Sequence, residues 1–337
     1  MYAMTPACTK ALCNALSTSA ASLDELARIQ ADLEGGNRIR SSRLYSLFRD
    51  VERLTGNPDI GLLAYRYAHP SICNPFMYCI LSAPTLGVAM ARMAHYHPLI
   101  SPGTHLFVER AEDGSVRLCG LELGQATAPR AFLDAGAALI LGLLRWLVPD
   151  QEVVPLRVEF TYPRPQRLEQ LTRCFGPTLV FGAVANSLVF PGTICDLPLP
   201  SASPTLDGML VEHAQTLVRD ILEGSVSARV RRLLQESWPA RGQPNVAEIA
   251  QRLKSSPRAL QKSLAREATS FKELADECRL TMAYGYLRNS TRSLKYIAGA
   301  LGYTEPSSFN KACQRWFGMS PAQFRRSGAQ GGSPLPR

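Results

Sequence analysis

The sequence predicts an α+β N-terminal domain, followed by an all-α domain in which one connecting helix joins two helix-turn-helix units. Three observations lead to this fold class. A helix-turn-helix pattern occurs twice near the C-terminus, the segment between its copies has helical spacing, and residues 1–200 alternate helix-like with strand-like patterns. A chain of 337 residues has room for two such domains.

The two copies of the helix-turn-helix pattern are IAQRLKSSPRALQKSL (249–264) and IAGALGYTEPSSFNKAC (297–313). Their apolar anchors correspond in order, although the second turn holds one extra residue. The anchors are Ile249, Ala250, Leu253, Leu260 and Leu264 in the first copy, and Ile297, Ala298, Leu301, Phe309 and Cys313 in the second. An isoleucine followed by alanine lets the first helix of each unit pack closely against its neighbour, and paired helices of this kind are typical of DNA-binding domains.

The segment between the copies, residues 270–289, is predicted to form one connecting helix. Leu274, Cys278, Met282 and Leu287 keep near-helical spacing, and no proline interrupts them. About 20 residues at 1.5 Å each span about 30 Å, close to the ~34 Å between successive major-groove faces on one side of B-DNA. One chain is therefore expected to fill two adjacent major grooves.

The positive charge of the chain is concentrated around the two copies. Residues 225–327 contain 18 Lys and Arg against 7 Asp and Glu, whereas the rest of the chain contains 19 against 21. Neutralisation of phosphates by such side chains supplies most non-specific DNA affinity and makes it depend on salt. The asymmetry favours a DNA-binding module; a merely basic, soluble helical domain is the alternative.

The start of each second helix determines which side chains would meet DNA. Ser256 and Pro257 form an N-cap followed by a proline at the first helical position, so the first recognition helix is predicted to begin at Pro257. Arg and Gln in such positions make bidentate contacts with guanine and adenine edges. The predicted DNA-binding residues are Arg258, Ala259, Gln261, Lys262 and Arg266 in the first unit, and Pro306, Ser307, Asn310, Lys311 and Arg315 in the second. Arg315 is expected to point toward phosphate. For any one of these residues, a solvated surface position or a phosphate contact is the alternative to base contact.

These residues resemble the AraC-type (AraC/XylS) transcriptional regulators, in order from about Ser225 to Arg326. The second unit carries the family signature almost intact in SLKYIAGALGYTEPSSFNKACQRWFGMSPAQFR. Cys313 stands where the family usually has phenylalanine, and Lys254 replaces the turn glycine of the first unit. Gly302 adopts a positive φ freely, whereas Lys254 would do so only at a cost in free energy.

Residues 1–200 alternate element types. Helical patterns cover 41–54, 83–97, 129–147 and 165–175, and strand patterns cover 104–110, 115–123, 154–162 and 178–184. Asp113-Gly114, between the first two strands, is typical of a hairpin turn. This mixture predicts an α+β domain with an apolar core large enough to enclose a small ligand.

Three runs in this part also resemble the arabinose-binding-type N-terminal domain found in one branch of the AraC family. They are LSAPTLGVAMARMAHYHPLISPG (81–103), VEFTYPRP (158–165) and LPLPSASPTL (197–206). The resemblance extends family likeness over nearly the whole chain. It implies effector sensing or dimerisation, without naming the effector.

A proline- and serine-rich segment indicates the boundary between the domains. Residues 195–205 hold three prolines and two serines, which is typical of a linker or surface strap. We expect a sensing or dimerisation domain over 1–200 and the DNA-binding domain over 225–327. Between them, residues 201–224 are expected to form a linker and a second connecting helix, distinct from the one over 270–289. Residues 328–337 lack apolar periodicity and are expected to be a disordered tail.

No catalytic, metal or cofactor site is predicted. His95, His97, His105 and Glu109 lie close together in sequence, but the proline after His97 and the following SPGT segment predict a helix end and a loop instead of a fixed ligand set. Nine cysteines occur without a C-x-x-C pair, which favours reduced thiols. The sequence holds neither a G-x-S-x-G elbow nor a phosphate-binding loop.

Membrane association is not predicted either. Lys10 and Asn14 interrupt any apolar core that a signal peptide would need within residues 1–22. The apolar run 135–144 meets Arg145, well short of the roughly 20 residues that a membrane span requires. The sequence therefore predicts a cytoplasmic protein.

The predicted function is that of a one-component transcriptional regulator that responds to a small molecule. The resemblance to the AraC family implies that it is an activator. Its expected partners are double-stranded DNA, a second copy of the chain, a small effector and, by family likeness, RNA polymerase. A dimeric regulator that needs no effector is the first alternative. The second is a metabolite enzyme whose basic tail localises it to DNA.

Overall fold

The computed structural model describes residues 3–20, 23–74, 76–101, 103–111, 113–123, 127–241, 244–267 and 269–328. Their contacts divide the chain into two compact units, an N-terminal and a C-terminal unit, with the division between Gln215 and Thr216. The N-terminal unit is mixed α+β and the C-terminal unit is helical, so the predicted fold class is confirmed. The predicted disordered tail falls outside the described residues, apart from Gly328.

A five-stranded mixed sheet organises the N-terminal unit, in the order β3-β4-β7-β5-β6. The strands are β1 (Ala3–Met4), β2 (Ile39–Arg40), β3 (Thr104–Arg110), β4 (Val116–Glu122), β5 (Arg157–Phe160), β6 (Leu179–Phe181) and β7 (Asn186–Phe190). The short strands β1 and β2 form a separate antiparallel pair. Within the larger sheet, β5 and β6 run parallel, and the other neighbouring pairs are antiparallel.

The predicted hairpin is formed by β3 and β4. Their register runs from Thr104 opposite Glu122 to Arg110 opposite Val116. Gly114 has φ 79°, and the Asp113 carboxylate accepts a 2.9 Å hydrogen bond from the Ser115 amide, as expected for a tight turn. The strand β7 was not predicted, yet it pairs with both β4 and β5 and completes the sheet.

Seven α-helices belong to the N-terminal unit in the described ranges. They are α1 (Pro6–Ala20), α2 (Asp24–Glu34), α3 (Ser41–Thr55), α4 (Met77–Leu81), α5 (Leu86–Ile100), α6 (Arg130–Leu147) and α7 (Glu169–Phe175). Of these, α5 and α6 pack against the five-stranded sheet. The apolar helix α6 packs against a 3-10 segment, Ile60–Tyr67. Their backbones touch at Gly61, where an added Cβ would lie 1.8 Å from the Ala131 carbonyl oxygen. Only glycine fits at that contact.

The expected end of α5 at His97 is wrong. The helix continues through Pro98 to Ile100 and is followed by Ser101, whose amide donates a 2.8 Å hydrogen bond to the His97 carbonyl. Proline removes one amide donor and disfavours a preceding turn, but here it lies only two residues before the last helical residue. The helices α1 and α2 were also missed.

Residues 197–201 form a strap on the N-terminal unit. The Leu86 amide donates to the Leu197 carbonyl at 2.8 Å, and the Ser201 hydroxyl donates to the Leu81 carbonyl at 2.7 Å. Leu199 is buried between these contacts. Beyond the strap, the next helix begins at Pro204. In its first turn, the Asp207 carboxylate accepts hydrogen bonds from both terminal nitrogens of Arg92, at 2.6 and 2.8 Å. The strap thus brings the chain back to α5.

Eight helices follow in the remaining described residues. They are α8 (Pro204–Gly224), which contains the division between the units, α9 (Val226–Arg241), α10 (Val246–Arg252), α11 (Pro257–Arg266), α12 (Phe271–Asn289), α13 (Leu294–Ala300), α14 (Pro306–Phe317) and α15 (Pro321–Gly328). The predicted helix-turn-helix units are the pairs α10–α11 and α13–α14, and the predicted connecting helix is α12. The first pair packs around a buried cluster that includes Trp238, Ile249, Leu260 and Leu274.

The two turns have the same backbone geometry. Lys254 has φ 51° and Gly302 has φ 82°, and Lys254 is the one non-glycine residue at positive φ in the described ranges. In the first turn, the Ser255 amide donates to the Ala250 carbonyl at 2.9 Å. In the second, the Tyr303 amide donates to Ala298 at 2.9 Å. The repeat therefore imposes the left-handed conformation on lysine.

Replacing Lys254 by glycine is expected to stabilise the first turn. A non-glycine residue in the left-handed region costs roughly 1–2 kcal/mol, and the larger unfolded-state entropy of glycine offsets about half of that gain. Lys254→Gly should raise the free energy of unfolding by about 0.5–1 kcal/mol, measured by urea denaturation. The matched change Gly302→Lys should lower it by a similar amount. A lower free energy of unfolding in Lys254→Gly would contradict the inference that the backbone of Lys254 is strained.

Candidate nucleic-acid interface

The first recognition helix, α11, begins at Pro257, as predicted. Ser256 is its N-cap, and its hydroxyl accepts a 3.2 Å hydrogen bond from the Ala259 amide. Leu260 and Leu264 are buried on the inner face of the helix. All five predicted DNA-binding residues of this unit are exposed: Arg258, Ala259, Gln261, Lys262 and Arg266. Within the described residues, none of the three cations in this set has a carboxylate partner, so their charges face solvent.

The second recognition helix, α14, repeats this arrangement with weaker capping. It begins at Pro306, and the side chain of its N-cap residue, Glu305, makes no capping hydrogen bond. Phe309 and Cys313 are buried in place of Leu260 and Leu264. The predicted set Pro306, Ser307, Asn310, Lys311 and Arg315 is exposed. Ser308 and Gln314, which sequence reasoning left out, are exposed on the same helix.

Arg315 differs from the other predicted residues because it has partners within the protein. Its guanidinium lies 3.9 Å from the Asp276 carboxylate and 5.7 Å from the centre of the Trp316 ring. The side chain nevertheless remains 61% exposed. An exposed ion pair of this length contributes little to stability, so Arg315 is available to a phosphate.

The orientation of α11 is fixed at its C-terminal end by Glu267. The Glu267 carboxylate accepts hydrogen bonds from the amides of Val226 and Ser227, at 2.7 and 2.9 Å, and from the Ser225 hydroxyl at 3.0 Å. Burial raises the pKa of Glu267, but the hydrogen bonds from Ser227 and its neighbours outweigh burial and lower the pKa below its ordinary value. One carboxylate therefore caps the start of α9 and ties α11 to it.

Trp238 and Arg279 connect the two helix-turn-helix units. Trp238, buried on α9, donates from its indole nitrogen to the Ala300 carbonyl at 3.1 Å. Arg279, on α12, donates to the Leu301 carbonyl at 3.4 Å, and its guanidinium lies 5.4 Å from the Trp238 ring and 5.6 Å from the Tyr303 ring. Carbonyls at a helix C-terminus lack helical partners, so these two side chains hold the end of α13. No pattern in the sequence marks this contact.

A cavity of about 140 Å³ lies inside the N-terminal unit, between the sheet and helices α1, α5 and α6. Alternate strand residues form one wall, because residues two apart point to the same face. They are Thr104 and Leu106 on β3, Leu118, Gly120 and Glu122 on β4, and Asn186 and Leu188 on β7. Another wall consists of Leu133, Gly136, Ala137 and Ile140 on α6. A mostly apolar lining with a few polar groups is typical of small-molecule sites.

The histidines considered as metal ligands do not form a metal site in the described part of the chain, where no three His, Cys, Asp or Glu side chains come together as a metal would need. His97 instead places Nδ1 3.1 Å from the Thr104 carbonyl oxygen, and burial lowers its pKa to about 4. The nine cysteines all lie within the described residues and form no disulfide bond there. Across the described ranges, no helix has both the length and the apolar character needed to cross a membrane.

Comparison with known families identifies both parts of the chain. Residues 19–199 match the family described as "Arabinose-binding domain of AraC transcription regulator, N-term". The chain belongs to the AraC family of transcription regulators. Residues 249–327 of this AraC-family protein match a helix-turn-helix domain, and they include both recognition helices.

Characterised relatives of this AraC-family protein are similar over most of its length. It is 26% identical over 279 residues to the ornithine utilization regulator of Pseudomonas aeruginosa, covering 82% of this chain and 81% of that protein. It is 28% identical over 282 residues to the transcriptional regulator VirS of Mycobacterium tuberculosis, covering 82% and 81%. A crystal structure of the regulator CdpR from Pseudomonas aeruginosa is 19% identical, with a TM-score of 0.48, and covers 94% of this chain and 97% of that one. The family, the helix-turn-helix match and the first two relatives show a DNA-binding transcriptional regulator, a class of proteins that are not enzymes.

Trp238→Phe tests the connection between the two units. Phenylalanine keeps one six-membered aromatic ring but removes the five-membered ring that carries the donor to Ala300, so the free energy of unfolding should fall by about 1–3 kcal/mol. Affinity for a DNA site that spans two major grooves should fall as well, because the end of α13 is then held by Arg279 alone. The control Trp316→Phe, at a partly exposed position, should change stability by less than about 1 kcal/mol. Equal effects of the two changes would show that the indole hydrogen bond has no special role.

Proposed function

We propose that this AraC-family protein activates transcription in response to a small molecule, with residues 225–327 as its DNA-binding domain and residues 1–200 as its sensing and dimerisation domain. The observation that supports this most is the presence of two exposed recognition helices, α11 and α14, in one compact unit. The connecting helix α12, with 19 residues, spans about 28 Å. That length suits two adjacent major grooves.

Base recognition is assigned mainly to α11. Arg258 and Gln261 can make bidentate contacts with guanine and adenine edges, and Lys262 lies beside them. The helix α14 offers Ser307, Asn310 and Lys311, without an arginine near its start. The first unit is therefore proposed to dominate sequence preference. Arg266 and Arg315, farther along their helices, suit the phosphate backbone.

The other partners follow from family likeness. The proposal includes a homodimer, formed through the N-terminal domain, and contact with RNA polymerase during activation in the cytoplasm. The cavity between the sheet and α6 favours an effector-responsive regulator over one that only dimerises, because a dimerisation domain has no need of an enclosed binding space. No observation favours turnover of a metabolite by this domain.

Gln261→Ala should change sequence preference more than overall affinity. Loss of a base contact costs about 1–3 kcal/mol at one position of the site. Binding-site selection with the full-length protein, compared before and after the change, should show a relaxed base preference in one half of the site. The base preference in the other half should not change. Gln235→Ala, the same change on an exposed position of α9, is the matched control and should bind as the unchanged protein does.

Lys262→Ala separates base contact from phosphate contact. If Lys262 contacts a base, its loss should relax preference at one position without altering the dependence of affinity on salt. A uniform loss across all sequences, with a salt slope shallower by about 0.9, would assign Lys262 to a phosphate and contradict the proposed register.

Gly136→Leu tests whether the cavity controls the regulator. A Cβ added at Gly136 meets nothing within 4 Å, so leucine would occupy the cavity. The change should also raise helix stability by about 1 kcal/mol relative to glycine. A metabolite that stabilises the unchanged protein in a thermal-shift screen and alters its DNA affinity should do neither in Gly136→Leu.

The control for that experiment is Gly136→Ala, which gains helix stability but fills little of the cavity. It should retain the response to the metabolite. If Gly136→Leu still responds, the effector binds elsewhere. If a metabolite binds the unchanged protein without altering DNA binding or transcription, the effector-independent dimer becomes the better description.

A further inference from the structure

Glu122 is an acidic group in the cavity without a nearby cation. It stands at the end of β4, where Oε1 accepts a 3.0 Å hydrogen bond from the Thr104 hydroxyl and Oε2 accepts a 3.1 Å hydrogen bond from the Tyr45 hydroxyl. Within the described residues it forms no ion pair. Burial raises its pKa to about 7, although the two hydrogen bonds act in the opposite direction. Its ionised form is therefore held in a poorly solvated place.

Another buried carboxylate of the same sheet, Glu159, has the positive charge nearby that Glu122 lacks. Glu159 pairs with Arg117 and accepts hydrogen bonds from Arg157 at 2.8 Å and from Ser187 at 2.7 Å. Burial raises the pKa of Glu159, but the positive charge of Arg117 and the other contacts outweigh burial and lower it. The protein thus neutralises Glu159 with arginine and leaves Glu122 to hydroxyl groups.

The neighbours of Glu122 offer acceptors to a ligand. The Tyr45 and Thr104 hydroxyls already donate to the carboxylate. His97 also lines the cavity; its Nδ1 donates to the Thr104 carbonyl, which leaves Nε2 as an acceptor, and its lowered pKa keeps the ring neutral. Burial also lowers the pKa of His105 and raises those of Tyr45 and Cys8, so these groups are neutral near pH 7. Among these neighbours, Tyr45 feels the positive charge of Arg49, which lowers its pKa. No cation contributes to the pKa of Glu122 within the described residues.

We propose that the cavity binds a compact organic amine, whose ammonium group pairs with Glu122 and donates to His97 while its apolar body packs against α6. This rests on the proposed function of the cavity as the effector site. An ammonium group supplies the missing positive charge and several donors. An anionic ligand would bring a second negative charge beside Glu122, which is unfavourable at low dielectric. In size, a cavity of about 150 Å³ accommodates a benzene ring, so a ligand of about six to eight non-hydrogen atoms fits.

The test uses three probes of one shape, benzylamine, benzyl alcohol and benzoate, titrated into the full-length protein and followed by calorimetry and thermal shift. Benzylamine should bind more tightly than benzyl alcohol, and benzoate should not bind near neutral pH. Because ionised Glu122 is the form that pairs with ammonium, benzylamine affinity should rise about tenfold or more between about pH 5.5 and about pH 8. The affinity of benzyl alcohol should stay constant.

The variant Glu122→Gln keeps the shape of the side chain and removes its charge. It should lose the preference for benzylamine and its pH dependence while still binding benzyl alcohol. Glu152→Gln, at an exposed loop position, is the control and should behave as the unchanged protein does. Tighter binding of benzoate than benzylamine, a flat pH profile in the unchanged protein, or full benzylamine affinity in Glu122→Gln would each overturn the amine assignment.

Gly136→Leu separates this inference from the function of the cavity. If benzyl alcohol binds and Gly136→Leu prevents it, the cavity is a ligand site even where benzylamine shows no preference, so only the amine assignment fails. If none of the probes binds, the amine assignment is overturned, and the DNA-binding experiments on α11 still decide the regulatory function.

Discussion

The contact of Trp238 and Arg279 with the end of α13 is the interaction on which the C-terminal unit depends most. B-DNA repeats its major groove at a fixed interval of ~34 Å, so two recognition helices in one chain are useful only at a constant separation. Trp238 comes from α9 and Arg279 from α12, and together they satisfy the carbonyls of Ala300 and Leu301. The exposed residues of the recognition helices take no part in this contact, whereas loss of either of these two side chains would leave a carbonyl at the end of α13 without its donor.

The parts of the fold that could be predicted from the sequence are those with local chemical causes. Ser256 and Pro257 mark the start of α11 because a hydroxyl and a proline suit the first turn of a helix. The register of the repeat aligns Lys254 with Gly302, and the sequence indicates only that a positive φ at lysine would cost free energy; the structure shows that Lys254 adopts it. The exposed faces of α11 and α14 follow from helical spacing once their starts are fixed. Their contacts with bases stay predictions.

The parts that could not be predicted depend on residues far apart in the chain. The strand β7 is recognisable only by its place between β4 and β5. Helix α5 continues past Pro98, and the Ser101 amide again donates to the His97 carbonyl, which proline in the sequence does not indicate. The raised pKa of Glu122 arises from burial in the folded chain and from the absence of a cation such as the one that Glu159 has, and the hydrogen bond from Tyr45, 77 residues away, only partly offsets it. Contacts between residues that lie far apart in the chain produce no periodic pattern in the sequence.

Helix α5 contributes both to the lining of the cavity and, through Arg92, to a contact with α8. Met93, the next residue, lines the cavity, and His97 lies one turn farther along the same helix. Arg92 holds Asp207 in the first turn of α8. A side chain that moves to admit a ligand therefore shares its helix with the guanidinium that anchors the following helix. A ligand acts only through its different affinity for two states. If the proposed effector binds in the cavity, α5 is the helix through which its binding would alter the Arg92–Asp207 contact at the start of α8.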